Sequence, residues 1–108
     1  MEDYVAPVFS RDRVREFLEI LAQPQRIAAE RFPLGSMELR CFATGFYFFA
    51  HSIKNELRPD LANELVDLAI RFQNSALESN KWSDPDVYWN RHSETAAGIL
   101  DRYFSATI

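Results

Sequence analysis

The chain has 108 residues, 47% of them hydrophobic and 26% charged, with a formal net charge of −4. Three Gly, five Pro and a single Cys exclude collagen, low-complexity disorder and a disulfide scaffold, and the length suits one domain that buries about two thirds of its extended surface. Neither half of the chain is net positive, which argues against a platform for nucleic acid.

Residues 1–9 read as an N-terminal arm, with Pro7 as a helix breaker and Tyr4, Val5, Val8 and Phe9 giving it apolar surface to dock. Ser10 is a good N-cap for a first helix that sets Val14, Phe17, Leu18 and Leu21 on one face. Pro24 interrupts it, and a short helical piece over 25–32 follows with Ile27, Ala28 and Phe32. Pro33, Leu34 and Gly35 end that piece, and Ser36 caps a long helix to about Leu57. Arg58 and Pro59 then turn the chain, and Asp60 caps a helix to about Ser79. Ser83 or Asp84 caps the last helix, to about Ser105, with Pro85 in its first turn, where a missing N–H costs nothing. The expected fold is all-α: an irregular antiparallel bundle of four to five helices spanning residues 10–108, plus the arm.

The helix after Ser36 carries Leu39, Phe42, Phe46, Phe49 and Ile53 at steps of three and four, a stripe that forms a core seam. Met37, Cys41, Gly45 and Phe48 lie outside that stripe, so the apolar arc is wider than a surface helix needs, and Cys41 with Gly45 makes a small-residue strip. The helix after Asp60 behaves alike: Leu61, Leu65, Leu68 and Phe72 form its seam, with Val66, Ile70 and Leu77 extending the arc. Wide apolar arcs on so short a chain leave surface over for a partner. The aromatic and polar residues expected to meet it are Tyr4, Phe9, Tyr47, Phe48, His51, Trp82 and Trp89.

Catalytic motifs are scarce. Neither His51 nor His92 follows a Glu by three residues, so the di-iron pattern of helical bundles is absent, as is a His-Glu-x-x-His zinc helix. Cys41 and His51 are ten residues apart on one helix, about 15 Å by rise, too far for a thiolate pair, and packing is the simpler role for this cysteine. The glycines at 35, 45 and 98 form no phosphate loop. His92 sits in an apolar stripe, where a hydrogen-bonded core imidazole is the ordinary explanation.

These observations favour a cytoplasmic, non-enzymatic protein without metal or cofactor, in keeping with one Cys and an acidic start at Glu2 and Asp3. The expected function is stoichiometric occlusion of a protein partner, in the manner of an antiactivator, an immunity protein or another inhibitor, with homodimerisation and with neither nucleic acid nor membrane as a partner. Two rival readings are a ligand-binding or acid–base bundle centred on His92, Tyr88 and Tyr103, and a self-associating structural subunit.

Overall fold

Four amphipathic helices and one short helical turn follow from this pattern. The computed structural model describes residues 6–33, 35–77 and 85–104. Its elements are α1 (Ala6–Leu21), α2 (Gln25–Ala28), α3 (Met37–Ile53), α4 (Pro59–Leu77) and α5 (Pro85–Tyr103), with no strand among the described residues. The fold is therefore an all-α bundle.

Cross-helix pairs define the directions. Glu64 meets Tyr103 while Ser75 meets His92, so α4 and α5 run antiparallel. Arg11 reaches the carbonyl of Tyr103 and Trp89 reaches that of Gln23, which sets α1 antiparallel to α5. Arg40, near the start of α3, lies against Leu77 at the end of α4, and these two helices share the broadest packing in the molecule. The bundle is thus up-down-up-down in the order α1, α3, α4, α5. The α1–α3 side is the narrowest contact and is bridged largely by one ring, Phe17, whose centroid lies 5.6, 5.2 and 5.3 Å from those of Phe42, Phe46 and Phe49.

The core lies where the helical periodicity places it. Val14, Leu18, Leu21, Leu39, Phe46, Leu61, Leu65, Leu68, Phe72 and Ile99 are all buried. Ala43, Ala50, Ala69, Ala76 and Ala96 fill the helix contacts between them, where small side chains let helices approach. Phe42 and Phe49, expected in the α3 seam, are half-buried at its edge, because the seam centres on Leu39, Ala43, Phe46, Ala50 and Ile53.

Several boundaries differ from the sequence reading. Helix α1 begins at Ala6, so residues 6–9 are helical and not part of an extended arm. Pro7 stands in the first turn, where proline is tolerated because that N–H has no intrahelical acceptor. Ser10 accordingly lies inside the helix and not at its cap. Helix α2 stops at Ala28, and a turn carries the chain on to Phe32, whose N–H donates to the carbonyl of Ala28. Gly35 has a φ of 77°, the left-handed conformation that suits glycine, and turns the chain into α3. Ser36 caps α3 as expected: its Oγ accepts from the N–H of Leu39 at 3.1 Å. Helix α3 ends at Ile53 and tightens into a 3-10 turn over Lys54–Glu56. Pro59 opens α4, with Asp60 in its first turn instead of at the cap, and the Arg58 carbonyl accepts from the N–H of Ala62. Pro85 opens α5, whereas the proposed caps Ser83 and Asp84 lie outside the described residues.

Candidate functional sites: the outer face of α3 and the groove at His92

One side of α3 faces the bundle, and the other faces no helix among the described residues. Met37 is 66% exposed and Phe48 63%, and Cys41, Gly45 and Ser52 are exposed with them at helical steps of three and four. Apart from its chain neighbours and the backbone of α3 itself, no described residue comes within 4 Å of a Cβ built on Gly45. This stripe carries no charge. Cys41, expected as a packing residue, is in fact on the surface, because the α3 seam is rotated toward Ala43 and Ala50.

Beside the stripe, α3 and α1 enclose a cleft of about 470 Å³ floored by Phe17, Ile20, Phe32 and Phe42, with Cys41 and Gly45 on its α3 wall. Arg13, Glu16, Arg31 and Glu38 rim it, and Arg13 is paired with Glu16 at 3.2 Å. On the other flank of the stripe, the Tyr47 ring stands edge-on to Phe48 at 5.3 Å and to His51 at 4.6 Å. His51 Nε2 is shielded from solvent and has no hydrogen-bond partner among the described residues.

The residues expected at an interface therefore divide. Tyr47, Phe48 and His51 come together on α3. Trp89 does not join them: it is 1% exposed, its ring is edge-on to Phe72 at 5.6 Å, and its Nε1–H donates to the Gln23 carbonyl at 2.6 Å. It is a core residue, because α5 turns that side toward the elbow between α1 and α2. Tyr4 and Trp82 lie outside the described residues, and Phe9 belongs to α1 with its side chain outside the description.

The second site is on the α4–α5 side. His92 is 7% exposed and its Nε2 lies 3.1 Å from Ser75 Oγ, with the Phe72 ring edge-on at 5.5 Å. Burial, then the positive charges of Arg91 and Arg71, push its pKa down to about 4, so the imidazole is neutral across the physiological range. A groove of about 360 Å³ opens here between the helices. Tyr103 is not part of it. Eleven residues further along α5, about 16 Å by rise, Tyr103 donates to Glu64 Oε2 at 2.6 Å, and this bond raises the phenol above its ordinary pKa. Arg102 also pairs with Glu64. The side chain of Tyr88 lies outside the described residues, so the grouping of His92, Tyr88 and Tyr103 gives way to one of His92 with Ser75, a partner on another helix that local spacing does not reveal.

Among the described residues, no group of three His, Cys, Asp or Glu side chains could hold a metal ion. No described helix is long and apolar enough to cross a membrane. Comparison of the chain with protein-family models, with curated proteins and with solved structures finds no match.

Proposed function

We propose that this protein works by binding another protein through the outer face of α3, as a stoichiometric regulator that occludes its partner. The observation that carries the reading is the uncharged exposed stripe of Met37, Cys41, Gly45 and Phe48 beside an apolar cleft. Contiguous apolar surface of this kind marks interaction sites on soluble proteins, whereas scattered exposed apolar residues do not. The composition of the patch is that of an interface core: Met, Phe and Tyr, with charge confined to the rim at Arg13, Glu16, Arg31 and Glu38. Gly45 leaves a notch into which a partner side chain or backbone fits. Homodimerisation through the same stripe and an intracellular setting belong to this proposal.

The test compares the tagged wild-type chain with the double variant Met37→Asp, Phe48→Asp in affinity capture from the native host. Both side chains are about two thirds exposed, so the variant keeps its helical circular dichroism and its stability to within about 0.5 kcal/mol. The expected result is one stoichiometric protein, or a second copy of the chain, that elutes with the wild type and is lost from the variant. An identical set of eluted proteins from both would overturn the reading.

A further inference from the structure

The exposed sides of α1, α4 and α5 all carry charge, at Arg15 and Glu19, at Asp67 and Arg71, and at Glu94 and Arg102. Helix α3 departs from them: from Cys41 to Ile53 it holds no Asp, Glu, Lys or Arg, and its exposed stripe of Met37, Cys41, Gly45, Phe48 and Ser52 is uncharged. In a chain of net charge −4, that difference bears on what covers the stripe. Two copies that meet across a two-fold axis place each residue against its own copy or a close neighbour, so a charge near the axis faces a like charge. A surface that meets itself is therefore neutral at its centre. The stripe has that property, and the rim of the adjoining cleft is balanced, with Arg13 and Arg31 against Glu16 and Glu38.

We propose that the occupant of this stripe is a second copy of the chain, with the two α3 helices antiparallel and Phe48 of each seated over the notch between Cys41 and Gly45 of the other. The stripe holds both halves of that contact. Phe48 is 63% exposed, with the Tyr47 ring edge-on to it at 5.3 Å. Cys41 is exposed, and a Cβ on Gly45 meets no described residue beyond its chain neighbours and the α3 backbone, so the notch has room for a ring. Cys41 and Phe48 lie seven residues apart on one face, about 10 Å by rise. An antiparallel two-fold beside Gly45, midway between them, brings each Phe48 opposite the other copy's Cys41, and each Met37 opposite the other copy's Ser52. Small side chains at the crossing let the helix axes come close. The antiparallel sense also sets the N-terminal end of one α3 beside the C-terminal end of the other, where the helix dipoles attract, whereas a parallel pair sets like ends together. This inference rests on the reading of the α3 face as an interface and adds its regulation: a second copy and any other protein compete for one surface, so the dimer withholds that face until it dissociates.

The intact chain is followed by light scattering over a wide range of concentration, beside Gly45→Leu and Phe48→Asp, with circular dichroism to show that both variants stay helical. The expected result is a reversible monomer–dimer equilibrium, weakened about tenfold or more by either substitution. Gly45→Leu is the sharper of the two. Its Cβ finds room in the isolated chain but the side chain fills the notch, whereas added apolar surface without this geometry would strengthen association. Oxidative cross-linking then reads the arrangement. The Cys41 side chains of the two copies stand about 10 Å apart along the pair, too far for a disulfide, whereas the Gly45→Cys, Cys41→Ser variant sets its one thiol beside that of the other copy at the crossing. A disulfide-linked dimer is expected from that variant and not from the wild type. A chain that stays monomeric at every concentration, a Gly45→Leu variant that associates like the wild type, or a disulfide through Cys41 would each overturn the proposal. None of these outcomes bears on capture of another protein through Met37 and Phe48, so the α3 reading stands or falls by its own test.

Discussion

The indole of Trp89 donates its Nε1–H to the backbone carbonyl of Gln23, 66 residues away in sequence, at 2.6 Å. This bond fastens the start of α5 to the elbow where Pro24 breaks the first helical segment, and it satisfies a carbonyl that the end of α1 leaves without an intrahelical donor. Trp89 also fills the corner against Phe72, and it is the largest fully buried side chain in the described core.

Replacing Trp89 with Phe should therefore cost about 1–3 kcal/mol through the stranded carbonyl, while Trp89→Ala should cost about 3–5 kcal/mol because it opens a cavity as well. Urea unfolding followed by circular dichroism measures both variants. A Trp89→Phe variant as stable as the wild type would show that the hydrogen bond contributes nothing beyond packing.

The Ser36 hydroxyl accepts from the Leu39 N–H at the start of α3, and Ser36→Ala removes that acceptor. A loss of about 1 kcal/mol is expected. Because α3 is the helix that displays the uncharged stripe, the variant should also show faster amide hydrogen exchange in its first turn. Exchange that speeds up uniformly along the chain would point to global destabilisation alone.

Gly45 and Gly98 make a contrasting pair. A methyl group at Gly45 meets no described residue within 4 Å beyond its chain neighbours and the α3 backbone, so Gly45→Ala should stabilise the isolated chain by about 0.5–1 kcal/mol by reducing the freedom of the unfolded backbone. At Gly98 the new Cβ falls 3.2 Å from Arg102 Nη1, and that guanidinium is already held by Glu64. The gain there should be smaller, since the arginine must shift. Thermal unfolding of both variants tests the order, and an exposed glycine that stabilises the isolated chain when replaced is kept, on this reading, for what docks against it.

Helix positions were legible in the sequence because burial repeats every three or four residues: Leu61, Leu65, Leu68 and Phe72 all reach the core as their spacing requires. The start of α1 was not, since Pro7 reads equally as a breaker or as a first-turn residue and Ser10 offered a false cap. Site residues were harder. Tyr47, Phe48 and His51 could be grouped because they share one helix face, whereas the fate of Trp89 depends on how α5 rotates against the α1–α2 elbow. The partnership of His92 with Ser75 depends in the same way on the register between α4 and α5, which only packing sets.

That partnership has a consequence for pH dependence. His92 titrates at about 4 in the folded chain against an ordinary value of 6.5, so the folded state binds fewer protons than the unfolded state between those limits. Stability contributed by the neutral, buried imidazole is present in full above pH 6.5 and is lost as pH falls toward 4, by roughly 3 kcal/mol at most. Acid also protonates carboxylates, so the informative quantity is the difference between wild type and His92→Gln, which keeps a hydrogen-bonding group of similar reach near Ser75 but cannot charge in this range. Urea midpoints measured from pH 7.5 to pH 4 should fall more steeply for the wild type than for the variant, with the gap opening below pH 6.5. Parallel curves would show that the imidazole takes up its proton without disturbing the fold.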